Sequence, residues 1–455
     1  MSQLKLVFLA GHITPIRGPR DEPLDVTELD VGLLEKWDAY WREVVRPFLE
    51  KVAGLEIWPS SEAAWLKLRK LGDAIYLSLV APLLLEPLPD VPLFPTAPRL
   101  FYYWLLLRDT YLDPFTDLDT RKLFTLLEIA REKIHTALEV LGKPLENLFK
   151  RNTHERLYEL FLRVPADTRP GLNTSSLVVH LLTTAAIAYS LGLAEGLDAV
   201  ELELLRLAGL LHDIGKPRAW REMCEKGAYV SHADVSAQLV RELLDGLLDE
   251  DLLDRLVSLV EYHHMPDRAS ESIRALAQRL KEADGISSAE DRLTNVVVDA
   301  LAEALGVSKA KAERLLKDRG KEAWEKWLKL YEEKAEELRK ATEKAVAKLR
   351  EWASGESLRE EGKPIAKGGL RLGIADIRHI QSFIMASEEL KGLAAGSFIV
   401  DAACMYALPR ALCDSELSRA GGEGQRAFLG RLAPECILYV GGGMLVFLAP
   451  ARWGE

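Results

Sequence analysis

A chain of 455 residues has room for about three domains of ordinary size, and its apolar share of 48% is ample for packed cores. A formal charge of −11 and a pI near 5.5 argue against a free-standing nucleic-acid binder, which is usually basic, while leaving open binding through a local groove or a partner subunit. The four cysteines, Cys224, Cys404, Cys413 and Cys436, lack any C-x-x-C spacing, which argues against a zinc ribbon or a dense disulfide framework and fits a reducing cytoplasm.

In chain order, residues 1–165 open without a secretory signal, on a short strand through Val7-Phe8-Leu9, and then turn mostly helical. Trp37, Tyr40, Trp41, Val44 and Val45 recur at helical spacing, and prolines between Pro82 and Pro98 mark a break. His12, Arg17 and Arg20 lie in a Gly/Pro-containing loop, for which an ordinary surface loop is the stronger reading. No chemical motif assigns a role to this region.

Residues 166–304 read as all helical, punctuated at the start by Asp167-Thr168-Arg169-Pro170-Gly171. Leu177 to Leu193 is long and uncharged but contains His180, Thr183, Thr184 and Ser190, so a buried helix is the better reading than a membrane span, and no membrane partner is expected. An apolar helix from Glu201 to Leu211 runs into His212-Asp213 and is ended by Ile214-Gly215-Lys216-Pro217. Adjacent residues on a helix point about 100° apart, so His212 and Asp213 reach one centre only near a helix end or between helices. Gly215 permits the turn, and Lys216 is placed to meet a phosphate. His232 precedes an amphipathic helix, the doublet His263-His264 ends another, and Asp284 follows in Ala283-Asp284-Gly285-Ile286-Ser287-Ser288. Each histidine alone reads most simply as an ordinary core or surface residue. Residues 305–360 are a charged stretch, read as a solvated helix or helical hairpin held by i,i+4 pairs and ended by Ser354-Gly355-Glu356-Ser357. Residues 361–455 change character, with a strand from Leu370 to Ala375, helices, and two strands around Gly441-Gly442-Gly443.

The order H…HD…H…HH…D, with Leu210-Leu211 before and Ile214-Gly215-Lys216-Pro217 after the His-Asp pair, resembles the HD phosphohydrolase superfamily. The resemblance implies that His180, His212, Asp213 and Asp284 hold one metal ion. It also implies that Asp213 bridges to a second, held with His232 and His263 or His264. His212, Asp213 and Lys216 are then the catalytic candidates. Manganese, nickel, cobalt and iron all suit mixed imidazole and carboxylate ligands, and a pair of such ions can activate water for phosphodiester hydrolysis.

The C-terminal segment, with Leu370 to Asp376, Lys391-Gly392-Leu393-Ala394-Ala395-Gly396-Ser397-Phe398 and Ile437 to Leu448, looks like a polymerase or cyclase palm. In combination with the HD region it resembles the large subunit of type III CRISPR effector complexes, the Cas-ten family of the Csm and Cmr systems, over about residues 170–300 and 368–450. The resemblance implies a mainly α chain with an α+β part. Residues 1–165 form a helical region of unassigned role, 166–304 the HD domain, 305–360 a charged helical linker and 361–455 an incomplete ferredoxin-like palm. It further implies single-stranded DNA as substrate, CRISPR effector subunits and guide RNA as partners, and ATP with Mg²⁺ as the palm's ligand at Asp376, Gly441, Gly442 and Gly443. An active palm of this kind carries carboxylates in its hairpin, whereas this hairpin reads Gly441-Gly442-Gly443-Met444. Asp376 alone is a poor cage for Mg²⁺, so the palm is expected to bind nucleotide without polymerising it. The chain is then expected to be an amino-terminal portion, without a second, catalytic palm. Two rival readings are a stand-alone HD phosphohydrolase acting on a nucleotide or cyclic dinucleotide, and an inert scaffold subunit of an RNA-guided complex.

Overall fold

The computed structural model describes residues 7–10, 25–28, 31–54, 64–83, 97–110, parts of 132–167, 176–290, 294–318, 320–353, 369–386, 389–413 and 432–451. The loop with His12, Arg17 and Arg20, the breaker Ser354–Ser357 and the side chain of Cys224 lie outside the described residues. The protein is mostly helical. A short antiparallel pair, β1 (Val7–Ala10) and β2 (Asp25–Glu28), precedes α1 (Val31–Ala39), which passes through a wider turn at Tyr40–Val45 into α2 (Arg46–Ala53). The apolar spacing seen in the sequence is a buried stripe: Trp37, Tyr40, Trp41, Val45, Phe48 and Leu49 are all fully buried. Two further helices, α3 (Ala64–Val80) and α4 (Ala97–Leu107), complete this N-terminal layer.

The histidine-bearing region follows as α5 (Leu177–Glu195), α6 (Ala199–Leu211), α7 (Lys216–Lys226), α8 (His232–Leu244), α9 (Glu250–Tyr262) and α10 (Glu271–Glu290). Local sequence sets these boundaries. Asp198 caps α6 by accepting the backbone N–H groups of Val200 and Glu201, both at 2.9 Å. Ser231 caps α8, Pro217 opens α7, and Gly196 and Gly227 end α5 and α7 in the left-handed region. α5 is apolar and long enough to span a membrane by composition, but it is mostly buried within the protein, as its polar residues suggested.

One apolar cluster joins the N-terminal layer, the histidine region and the C-terminal strands, from Leu34 through Leu207 to Ala449. A buried ionic network crosses the same junction. Arg206 of α6 bonds the Glu435 carboxylate at 2.7 Å and Asp73 of α3 at 3.1 Å, and Arg108 holds Asp73 in a two-pronged pair.

A second, separate cluster gathers α11 (Thr294–Leu305), α12 (Lys309–Lys317) and α13 (Gly320–Ala353) around Leu301, Trp327, Leu338 and Ala341. Thr294–Leu305, read from the sequence with the preceding helices, therefore packs with the following ones. Leu301 and Leu305 form an apolar face that a helix pattern reveals without naming its partner.

In the C-terminal segment β3 (Leu370–Asp376), β4 (Ile437–Gly441) and β5 (Met444–Pro450) make a three-stranded antiparallel sheet in the order β3-β5-β4. Between β3 and β4 the chain passes through α14 (Ile380–Ile384), α15 (Leu390–Ala402) and α16 (Leu408–Cys413).

Candidate metal centre

Two close approaches of backbone bring the ligands together. A Cβ on Gly209 would lie 2.6 Å from the Cα of Ala185, so α5 and α6 cross at that point in direct contact. The crossing sets His180, before Ala185, beside His212, after Gly209. A Cβ on Gly215 would lie 2.4 Å from the backbone nitrogen of Ser236, so the turn after His212-Asp213 sits directly on α8. The Gly215 N–H donates to Ser236 Oγ at 3.0 Å.

His180, His212, Asp213 and Asp284 offer ligand atoms that all lie within 4.8 Å of one another, and so do His232, His263 and His264. Asp213 lies between the two groups. Its Oδ2 is 3.2 Å from His212 Nε2 and 3.4 Å from His180 Nε2; its Oδ1 is 3.3 Å from His232 Nε2 and 3.9 Å from His263 Nε2. Asp284 Oδ1 sits 3.2 Å from His180 Nε2, and its other oxygen 3.8 Å from His264 Nδ1. The sequence left His263 and His264 as alternatives; the structure brings both to the second group, with Nε2 atoms 3.1 Å apart. Lys216 sets its ammonium against Asp213 Oδ2 at 2.5 Å and donates to the Ala166 carbonyl at 2.6 Å. It is therefore anchored in the centre by two of its three donors.

The ring tautomers follow from the backbone. His212 Nδ1 lies 2.9 Å from the Gly209 carbonyl and His263 Nδ1 2.6 Å from that of Val260. A carbonyl only accepts, so both rings donate from Nδ1 and present Nε2 inward, and the neutral His263 carries a lone pair there. His180 Nδ1 meets Ser287 Oγ at 3.0 Å, a contact that the Asp284–Ser287 spacing of one helical turn makes legible in hindsight. These outer contacts orient the rings as metal-binding histidines require.

Burial pushes His263 down to about 4 and also lowers His232, while His264, with its exposed edge, is held below its ordinary value by partial burial and by His263 beside it, so all three rings are neutral near pH 7. Burial alone would raise Asp213 and Asp284. Lys216, His212 and His180 outweigh it and hold Asp213 well below the carboxylate range; His180 and His212 do the same for Asp284. The buried Oδ1 of Asp213 has no hydrogen-bond donor among the described residues. Converging lone pairs, ionised carboxylates and an orphaned carboxylate oxygen fit divalent cations, for which two carboxylates and five imidazoles are a suitable donor set. His264 and His232 are the more exposed members, so the centre opens to solvent on their side.

Residues 177–289 match the HD domain family, so an HD domain is present, and it carries every one of these ligands. That family comprises metal-dependent phosphohydrolases. A stretch of 76 residues is 39% identical to an uncharacterized protein of Methanocaldococcus jannaschii, covering 16% of this chain and 40% of that protein. No solved structure matches the chain.

The C-terminal candidates are placed differently. Asp376 ends β3 opposite Met444 and is exposed. Gly442 and Gly443 form the two-residue turn of the β4–β5 hairpin with φ of 59° and 86°, the conformation that such a hairpin demands. Where a Cβ on Gly443 would stand, Ile380 Cδ1 lies 1.8 Å away, so packing fills the space expected to admit a triphosphate there. Gly441 lies against the Tyr439 hydroxyl, and Gly442 faces open space.

Proposed function

We propose that this chain is a metal-dependent phosphodiesterase whose centre is the pair of clusters sharing Asp213. The observation that carries this is the placement of the Asp213 carboxylate, with one oxygen toward His180 and His212 and the other toward His232 and His263. His180, His212 and Asp284 would hold one divalent ion, His232, His263 and His264 the other, with Asp213 bridging. Such ions, of manganese, nickel, cobalt or iron, supply electrophilic polarisation of a phosphoryl oxygen and a nucleophile from water at neutral pH. The chain's own residues orient and hold. Backbone carbonyls fix the rings of His212 and His263, and Lys216 balances the charge of Asp213 and leaves one donor for a phosphate oxygen. The open side at His264 admits substrate.

Within that reading, we take the substrate to be single-stranded DNA and the setting to be a type III CRISPR effector complex in antiviral defence. Its support is the sequence resemblance over about 368–450 and the strand order β3-β5-β4, which is that of a β-α-β-β half of a palm. A further support is an apolar surface on that segment, where Leu372, Ile374, Phe383, Met385 and Leu390 are each more than half exposed, as suits a subunit covered in a larger assembly. A stand-alone nucleotide phosphohydrolase has no need of either feature. The test is to strip the purified chain with chelator, reload it with Mn²⁺ or Ni²⁺, and offer single-stranded DNA, double-stranded DNA and cyclic dinucleotides in parallel. Metal-restored cleavage of single-stranded DNA alone is the expected result. Cleavage confined to cyclic dinucleotides overturns the nuclease reading, and no metal-restored hydrolysis of any substrate supports the inert scaffold.

A further inference from the structure

Among the described residues, hydrogen bonds from outside residues 177–289 reach the turn after Asp213 and the start of α7. Trp37 of α1 donates its indole N–H to the carbonyl of Ile214 at 2.7 Å, and both residues are fully buried. Ile214 follows Asp213 in the turn between α6 and α7, where no helical N–H is set to meet its carbonyl. The neighbouring Asp38, also buried, takes Arg218 Nε on both oxygens at 3.0 and 2.9 Å and so ties α1 to α7 just beyond the turn. The Ala166 carbonyl holds Lys216 on the same stretch.

Trp41 lies one helical turn along and supplies the comparison. Its ring stands 5.8 Å from that of Trp37 and is equally buried, yet its indole N–H has no hydrogen-bond partner among the described residues. Packing in this layer thus tolerates an indole without a partner, and the bond from Trp37 is a specific addition aimed at the ligand-bearing turn.

We infer that Trp37 is a positioning residue for the metal centre, and that the N-terminal helical layer belongs to that centre although it lies outside the HD domain. This rests on the metal-centre reading above. Asp213 serves both clusters only if each oxygen stays on its own side, so a small rotation of the turn disturbs both sets of ligands together. Without the Trp37 N–H, the buried Ile214 carbonyl lacks a donor, and the turn relaxes to find one.

The test compares Trp37→Phe with Trp41→Phe in the full chain. Both remove an indole from the same apolar layer, and only the first removes a hydrogen bond. Each protein is stripped, then titrated with Mn²⁺ by calorimetry and with Co²⁺ by visible absorption, with melting curves of the metal-free forms alongside. Trp37→Phe should weaken metal binding about tenfold, the low end of what loss of a direct outer partner of a ligand costs, since its bond reaches Ile214 beside the ligand Asp213, and should change the Co²⁺ spectrum. Trp41→Phe should leave both as in wild type, with a similar loss of melting temperature. Identical Kd and spectrum in the two variants overturn the inference. Failure of the wild type to bind metal overturns the metal-centre reading instead. Should Trp37→Phe fail to fold, Asp38→Asn loosens the same α1–α7 tie, and an unchanged Kd and Co²⁺ spectrum in it overturns the inference equally.

Discussion

His180 and His212 face each other with Nε2 atoms 3.2 Å apart, while the Gly209 carbonyl takes the Nδ1–H of His212 and turns its Nε2 toward the centre. His180 makes the same approach with Asp284 Oδ1 at 3.2 Å. Nitrogen and carboxylate oxygen atoms at these separations need protons or a metal ion between them, and several such approaches share one centre. Metal should therefore stabilise the folded state. At about one hundred times Kd, a ligand specific to the folded state adds about 2.7 kcal/mol. Scanning fluorimetry of chelated protein should show a rise of roughly 3–5 °C on adding Mn²⁺ or Ni²⁺. The rise should be clearly smaller in His212→Ala, which keeps the ligands of the second cluster, and an equal rise in that variant would place the ion elsewhere.

Asp213 and Asp284 should differ in kind. Asp213 lies within 3.4 Å of His180, His212 and His232 and so meets both clusters at close range, whereas Asp284 comes that near only to His180, at 3.2 Å, and stays 3.9 Å from His212 and 3.8 Å from His264. Asp213→Ala should lose well over tenfold in hydrolysis and bind neither ion tightly, while Asp284→Ala should retain one ion per chain. Metal content after dialysis, measured by atomic emission, separates the two; equal retention in both variants would remove Asp213 from its bridging place.

Much of this centre was legible in the sequence because metal ligation demands particular side chains in a particular order. His180, His212, Asp213, His232, His263, His264 and Asp284 all converge. What holds them was not legible. The acceptors for His212 and His263 are the carbonyls of Gly209 and Val260, and a backbone atom leaves no trace in residue type. Trp37 read only as an apolar helix position, since nothing local links it to a carbonyl 177 residues away. The β4–β5 hairpin was announced by its glycines, but the reason for Gly443 lies in Ile380, on a different element. Residues 294–304 likewise read only as part of an all-helical stretch, with nothing in them to say that Trp327 and Leu338 would cover that helix.

The pH dependence follows from the neutral histidines. Burial holds His232, His263 and His264 below their ordinary value of about 6.5 in the folded chain, His263 down to about 4. Between those limits the unfolded chain binds more protons, so the stability of the metal-free protein should fall as pH is lowered from about 6.5 toward 4. Metal affinity in this cluster should hold to about pH 5, because few protons compete for the rings there. Melting and metal titrations from pH 7.5 to 4.5 check both. A metal affinity that collapses near pH 6.5 would mean that the rings titrate as exposed histidines do.

Arg206 should be among the costliest surface-remote residues to replace. Fully buried in α6, it bonds Glu435 and Asp73 and stands against Glu203 at 3.2 Å, so its removal takes the cation from the buried Glu435 carboxylate while Asp73 keeps Arg108. Such a loss typically costs about 3–5 kcal/mol. Arg206→Ala should show it in urea unfolding, and because α6 carries His212 at its end, metal affinity should fall as well. A loss below about 1 kcal/mol would mean that the network is replaced by water.

The hairpin tests what the C-terminal segment does. Gly443 combines a φ of 86° with Ile380 in the place of any side chain, and its carbonyl accepts the Ile377 N–H at 2.8 Å. Gly443→Ala then meets both a disfavoured backbone and a clash, together about 2–4 kcal/mol, felt locally. Hydrogen exchange should speed up at Leu445 and Val446 on β5, while Mn²⁺ affinity at the centre stays as in wild type. Nucleotide chemistry is a separate matter. Asp376 is exposed at the end of β3, and the hairpin opposite it offers Met444 where a second carboxylate would have to stand. A pair of Mg²⁺ ions needs several oxygen ligands, so incubation with ATP and Mg²⁺ should produce no oligoadenylate. Equilibrium binding of ATP, compared between wild type and Asp376→Ala, tests the remaining role, and tight binding that the substitution weakens is expected if the segment holds a nucleotide. Oligoadenylate that disappears in Asp376→Ala would show that one carboxylate suffices, and would make this segment a second catalytic site.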